Sequence, residues 1–499
     1  MELIKTLEQF FPRWALKRRQ ADSLKRFYDA GTPSNQFKRV PGGNSSADAV
    51  VQQANISLRQ IGRYLDENEP LAHGILDTLE KKVVGTGLEL RPMVKSSTGK
   101  IQERLNKRIA SLWWDFCQSP EVTRELTMDE VQRVSFRSMC RDGEMLAQHV
   151  VGDTRIRPTG DVYYAVELLE ADYLPFNTFV TSGTRQEIIS SVEKNQWGQP
   201  IAYHLYKTHP GSATGGYMPQ QDLETKRVLA EDMIHLKYTT RIRQTRGVPI
   251  LAPILRLMES IKDYKESETV AARVNAALTA FITKSTDFAG ATGTDSERQY
   301  EMNPGMIYND LLPGENVSMI KADRPNPELT NFLNILMKSA SSGTHTSYSD
   351  ISKDYSGTYS SQRQEMVSQK IDYDLLRGKF INDFMNPIYR KFLEVAQLQG
   401  LLRIPQSVDM QTLLSPEWSS PAQPWIDPKK EADAWIAMHD AGLMSKSEIV
   451  GSRGQDLNKL YTELALEKEI EEQLGLIEDP PITDSSSTDE PPAEDEEAA

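Results

Sequence analysis

Residues 249–282 read PILAPILRLMESIKDYKESETVAARVNAALTAFI. Apolar residues recur at Ile250, Ile254, Leu257, Met258, Ile261, Val270, Val274, Leu278 and Phe281, the spacing of a helical face. The polar flank carries Arg256, Lys262, Asp263, Lys265, Glu266, Glu268 and Arg273. Taken as one helix, the stretch reaches about 50 Å. That is too long for an ordinary core element, so it spans something or packs beside copies of itself.

C-terminal to this helix, residues 283–326 form a compact insertion. It has a predicted hairpin: 306–311, a turn at Pro313-Gly314-Glu315, then 317–322. A return helix over 328–340 places Leu329, Phe332, Leu333, Leu336 and Met337 on one face. Residues 341–358 are almost wholly polar and read as a long functional or disordered loop. Helix resumes over 359–398, with interruptions expected at Gly378 and Pro387. A Pro-rich crossing at 405–428 leads to helices over 429–474. Long helix, hairpin module, return helix, polar loop and long helix together describe a spoke that, repeated around an axis, lines a tube.

N-terminal to it, Leu58, Ile61 and Leu65, then Leu71, Ile75, Leu79 and Val83, mark two helices over 57–84, the second stopped by Gly85 and Gly87. A β-prone run covers 88–93. A helix over 101–116 ends in Trp113, Trp114 and Phe116, with the Trp pair read as core. Between 144 and 235 short strands are expected at 145–151, 163–169, 188–192 and 201–206. The fold class is α+β.

The chain has 499 residues, of which 38% are hydrophobic and 26% charged, enough for a real core and a large solvated surface. No run of about 18 apolar residues occurs, which predicts no membrane span, and residues 1–11 lack the order of a secretory signal. Cys117 and Cys140 are the two cysteines, so no disulfide framework is expected and a reducing cytoplasm is the setting. A net charge of −14 argues against a protein that grips DNA through a general basic surface, but not against a channel along which DNA slides. Charge is uneven. The first segment holds Arg13, Lys17, Arg18, Arg19, Lys25, Arg26, Lys38 and Arg39, and reads as a docking or disordered arm more readily than as a DNA contact. Residues 478–499 hold nine acids and no base and read as a disordered tail.

Motifs for catalysis are missing. There is no GxxxxGK[ST], HExxH or GxSxG. His73, His149, His204, His209, His235, His345 and His439 are scattered; only His204 and His209 are close, and packing or surface roles are expected for all seven. No metal, no cofactor and no enzymatic activity are expected. Another capsid-associated structural or scaffold protein, and a metal-dependent nuclease, stand as the alternative readings.

Several short pieces stand in order between about 54 and 476: Leu71-Ala72-His73-Gly74-Ile75-Leu76-Asp77 with Val83-Val84-Gly85-Thr86-Gly87, Arg141-Asp142-Gly143-Glu144, Leu168-Leu169-Glu170-Ala171-Asp172, and His235 with Gln244-Thr245-Arg246-Gly247-Val248-Pro249. Leu312-Pro313-Gly314-Glu315, Tyr359-Ser360-Ser361-Gln362-Arg363, Trp425-Ile426-Asp427-Pro428 and Gly442-Leu443 complete the set. In this collinear order they resemble the lambda-type family of tailed-phage portal proteins. The resemblance implies a dodecameric ring, the head–tail connector at one capsid vertex. It would dock the terminase, hold and eject double-stranded DNA, and meet major capsid, scaffold and head–tail completion proteins. The site is the virion, with assembly in the host cytoplasm and no membrane.

By element order the resemblance implies a basic arm at 1–44, a wing at 45–248, stem helices at 249–282 and 327–340 with a clip at 283–326 between them, and a tunnel loop at 341–358. A long helix and wing return at 359–424, a crown at 425–477 and the acidic tail at 478–499 follow. His345, Tyr348, Lys353 and Tyr355 of the tunnel loop, with Lys338 nearby, are the candidates for DNA proximity. Tyr308, Pro313, Gly314, Glu315 and Lys321 are the candidates for partner docking on the clip.

Overall fold

The computed structural model describes residues 45–152, 160–176, 179–180, 187–212, 224–276, 280–284, 315–319, 329–419, 428–453 and 457–474, a mixture of helix and sheet. The basic arm, the acidic tail, Tyr308, Pro313, Gly314 and Lys321 lie outside these residues.

Helix α1 (Ala47–Asn68) starts where the Ser46 side chain accepts from the Ala49 N–H, and α2 (Pro70–Val83) starts at Pro70, whose missing N–H costs nothing at a first helical turn. Strand β1 (Glu89–Arg91) and α3 (Glu103–Cys117) follow. Trp113 is 5% exposed, but Trp114 is 66% exposed. Neighbours on a helix point about 100° apart, so the pair does not share the core as expected. Helix α4 (Met128–Asp142) opens with a Thr127–Glu130 capping box and closes at Gly143, φ 87°, from which β2 (Glu144–Val151) departs at once.

Strands β3 (Tyr164–Glu170), β4 (Phe179–Val180), β5 (Glu187–Ile189), β6 (Val192–Lys194), β7 (Pro200–Tyr206), β8 (Thr225–Leu229) and β9 (Met233–Lys237) make two antiparallel sheets, ordered β3-β2-β9 and β4-β5-β6-β7-β8. The strand expected at 188–192 is a hairpin instead. Ser190 and Ser191 both take positive φ, 49° and 64°, and fold β5 back on β6. Alternation along β2 separates two cores: Met145 and Ala147 join helices α2 to α4, while Leu146 joins Leu205, Val192 and Val228 of the larger sheet.

Ala252–Ile254 is a short 3-10 turn and α5 runs Leu255–Ala276. The helix is therefore shorter than the stretch 249–282: Pro249 and Pro253 delay its start, and Ala280–Lys284 is strand β10. Strand β11 (Glu315–Met319) pairs antiparallel with β10, Lys284 opposite Glu315. Residues 280–284 thus pair with 315–319, a contact that was not expected, and Glu315 begins a strand rather than a turn. Residues 306–311 lie outside the described residues.

Helix α6 runs Leu329–Thr344 and α7 Tyr348–Ser352, so the expected polar loop 341–358 is helical over much of its length. Its hydroxyls bond inside the helix: Thr344 Oγ1 donates to the Ala340 carbonyl at 2.9 Å and Ser341 Oγ to that of Lys338 at 2.8 Å.

Helix α8 (Tyr359–Phe380), capped by Thr358, continues through a π-helical turn, Ile381–Met385, into α9 (Asn386–Leu398). Gly378 does not interrupt it. Pro387 does, and the widened turn absorbs the hydrogen bond that proline cannot donate. Helix α10 (Met410–Leu414), β12 (Glu417–Ser419) paired with β1, then α11 (Pro428–Asp440), α12 (Lys446–Ser452) and α13 (Leu457–Leu474) end the chain. Helix α9 closes the main core, Trp113 meeting Phe392 edge-on at 5.1 Å and Phe116 stacking on Tyr164 at 5.3 Å.

Candidate functional site

Helices α5 and α6 form an antiparallel stalk. A Cβ on Gly343, near the end of α6, would lie 2.7 Å from Ile254 at the start of α5, and farther along Tyr264 meets Phe332 with ring centroids 5.0 Å apart. Strands β10 and β11 pair at the ends that leave the body. Val270, Phe332 and Ile335 stay exposed on the stalk at 56, 44 and 61%.

Where α6 returns to the body, α6, α7 and α8 enclose an open cleft of about 330 Å³. Its walls are Ser341, Ser342, Thr346, Ser347, His345, Glu365 and Asp372, with Tyr348 and Gln369. Its polar groups are spoken for. Glu365 accepts from the Ser349 amide at 3.2 Å and hydroxyl at 2.6 Å, and His345 lies 3.1 Å from the Tyr238 hydroxyl and 3.7 Å from Asp372. The walls carry the carboxylates of Glu365 and Asp372, with His345 beside Asp372 and the Lys338 ammonium over Tyr348.

The candidate DNA-proximal residues divide. Lys338 Nζ sits 5.2 Å from the Tyr348 ring centroid, and His345 lines the cleft. Lys353 caps the C-terminus of α7 at φ 57° with its side chain exposed, and the Tyr355 carbonyl accepts from Gln362 of α8. The two fixed cations are thus at the stalk's end and one short helix beyond it.

A second constellation was not foreseen as one. Arg141-Asp142-Gly143-Glu144 and Gln244 to Pro249 meet in a sealed junction. Glu144 Oε1 accepts from Arg246 Nε at 2.7 Å, and Oε2 accepts from His235 Nε2 and the Gly247 amide, both at 2.9 Å. Arg246 also lies 4.1 Å from the Phe176 ring centroid and donates to the carbonyls of Ala171 and Pro175. Burial alone raises the Glu144 pKa, but Arg246, then His235, hold it far below the usual carboxylate range. Burial lowers His235 to about 4, so it is neutral and donates through Nε2. Carboxylate and imidazole together resemble an acid–base pair, yet their side chains are 0 and 4% exposed and both carboxylate oxygens already accept hydrogen bonds. The junction fastens α4, β2, β9 and the entry to the stalk.

Glu170, Asp172 and His209 bring possible ligand atoms within 4.8 Å of one another. Arg63 Nη2 already lies 2.5 Å from Asp172 and 3.7 Å from Glu170, so a fixed cation occupies their field. No helix among the described residues is long and apolar enough to cross a membrane.

The family model "Phage portal protein, lambda family" matches residues 34–377. The probable portal protein of Halomonas phage phiHAP-1 is 23% identical over 445 residues, 86% of this chain and 83% of that protein. Portal protein B of Escherichia phage lambda is 20% identical over 394 residues, 72% of each. A chain in the neck of a native gene transfer agent particle, computed with C12 symmetry, is 12% identical with TM-score 0.42, over 82% of this chain and 99% of that one.

Proposed function

Because this chain belongs to the lambda family of phage portal proteins, we propose that its copies close into a ring, dodecameric by the family's pattern, that conducts double-stranded DNA at one capsid vertex. The observation that carries the reading is the α5–α6 stalk with its β10–β11 ladder. An antiparallel helix pair with exposed Val270, Phe332 and Ile335 offers apolar surface that neighbouring copies would cover.

In this reading residues 45–248 are the wing, 249–282 and 327–340 the stem, 283–326 the clip, 341–358 the tunnel loop and 425–477 the crown. The clip docks the terminase during packaging and head–tail completion proteins afterwards, and major capsid and scaffold proteins surround the ring. The particle is assembled in the host cytoplasm and the protein stays in the virion. The portal performs no catalysis; the energy of packaging comes from the terminase. Carboxylates along the channel keep DNA mobile, while Lys338 and Lys353 offer brief phosphate contacts.

Negative-stain electron microscopy with particle mass tests this. Rings with a central hole about as wide as duplex DNA are expected, and compact dimers without a hole would overturn the reading. Lys353→Ala is expected to leave rings intact and to alter DNA retention in filled particles. Loss of the rings themselves would show that Lys353 serves assembly instead.

A further inference from the structure

We propose that the turn Arg241-Ile242-Arg243, between β9 and the sealed junction, is a binding site for the phosphate backbone of duplex DNA. The inference rests on the portal reading and adds a contact to it.

All three residues of the tip are exposed, Ile242 to 93%. Arg243 holds φ 61°, a left-handed conformation that glycine adopts freely and arginine does not. Such strain persists only where the surroundings impose it. Gln244, 6% exposed, imposes it from beneath. Its Oε1 accepts from the amides of Thr240 and Arg241 at 3.1 and 3.2 Å, and its Nε2 donates to the Arg246 carbonyl at 2.8 Å. Lys237 Nζ donates to the carbonyls of Gln244 and Thr245 at 3.3 and 2.9 Å. The turn is thus a preorganised support for two cations, and binding has little of it left to order.

Neither Arg241 nor Arg243 has a carboxylate partner among the described residues; Arg241 Nη2 donates to the Ser45 carbonyl at 3.2 Å. Asp48, the carboxylate at the base of the turn, is taken by the Thr245 amide and hydroxyl, both at 2.7 Å, with Lys194 at 3.7 Å. Both guanidiniums therefore keep donors in the fork geometry that suits phosphate oxygens. Ile242 between them offers apolar surface to the sugar edge that separates two phosphates.

Placement favours DNA over an acidic protein segment. Tyr238, at the start of the loop, bonds His345 at 3.1 Å and ties the turn to the cleft where α6 returns to the body. Ser45, which Arg241 holds, is where residues 1–44 join, with nine bases against four acids. In a ring the turn recurs in every copy, so contacts that are weak singly act together on one duplex.

The test is the fluorescence anisotropy of a labelled duplex mixed with the assembled full-length protein over about 25 to 200 mM salt. Arg241→Gln with Arg243→Gln is expected to lower the slope of log affinity against log salt by about 2 and to weaken low-salt binding about tenfold, with rings intact. Arg104→Gln with Lys107→Gln removes the same charge from exposed positions of α3 and is expected to leave the slope as it was. Equal losses in the two variants would mean that only net charge matters, and would overturn the site. Intact rings with an unchanged slope in the Arg241 and Arg243 variant overturn it too, and leave the portal reading standing. Rings lost in that variant with the fold intact would give the turn to assembly instead. If both proteins bind duplex alike, while a peptide of residues 478–499 binds wild type alone, the turn belongs to the acidic tail and the proposal falls. A wild-type chain that forms no rings and binds no duplex overturns the portal reading with it.

Discussion

Replacing Gly247 with Ala is expected to cost on the order of 3–5 kcal/mol and to leave little folded protein. A Cβ at Gly247 would stand 1.9 Å from the Gly143 carbonyl oxygen and 2.6 Å from its carbon. Those atoms are backbone and have no side-chain freedom with which to yield. Gly143 cannot retreat either: it holds φ 87°, its own Cβ position lies 2.5 to 2.7 Å from backbone atoms of Val248 and Pro249, and its carbonyl accepts from the Tyr238 amide at 2.8 Å. Gly247 is held from both sides, its N–H donating to Glu144 and its carbonyl accepting from Asn55 Nδ2 at 2.9 Å. Thermal unfolding of the variant beside Gly74→Ala checks this. Gly74 lies within α2 with nothing within 4 Å of an added Cβ, so its substitution is expected to be neutral or to gain up to about 1 kcal/mol. A Gly247→Ala protein melting with wild type would mean the two backbones part easily, contrary to the packing.

What was legible in the sequence follows from how local each signal is. The helices α1, α2 and α3 show in their apolar spacing because each buries one face. The two motifs that build the junction are visible as strings, but their meeting is not, since Glu144 and Arg246 lie about a hundred residues apart and nothing local pairs them. Ser190-Ser191 hides the β5–β6 hairpin because serine carries no strong preference for positive φ; the turn is imposed from outside, where Arg246 reaches the Ser190 carbonyl at 3.5 Å. Residues 341–344 look like loop because hydroxyls are counted as solvent-seeking. In α6 they bond the preceding turn instead, and Gly343 gives the close approach to Ile254. Ala280 to Ile282, the first part of β10, fall inside the expected long helix because Phe281 happens to lie in helical phase, while the strand they pair with, β11, is some thirty residues away. The candidate contacts with DNA and partners rest on the family resemblance rather than on any local pattern of the sequence.

Arg246→Met is the second large effect expected, about 3–5 kcal/mol, because it removes one side of a buried ion pair and leaves the other. Methionine fills much of the space over Phe176 but donates nothing to Glu144, Ala171 or Pro175. The loss is then electrostatic, and pH dependence identifies it. In the wild type His235 and His149 are both lowered by burial to about 4, against an unfolded value near 6.5. Their unfolded forms bind protons first, so stability is full above about pH 6.5 and falls by about 1.4 kcal/mol per pH unit for each as the pH drops toward 4. Glu144 adds a further loss below its unfolded value of about 4.3, since its folded pKa is depressed and the ionised form is the one the junction needs. In Arg246→Met the cation that holds Glu144 ionised is gone, so that lowest limb is expected to flatten while the histidine limb persists. Denaturant titrations between pH 7.5 and 2.5 on both proteins measure the two limbs. A wild type equally stable at pH 7 and pH 5 would show that neither imidazole is sealed. An Arg246→Met protein that keeps the low-pH loss would show that Glu144 owes its charge to His235 and the Gly247 amide rather than to the guanidinium.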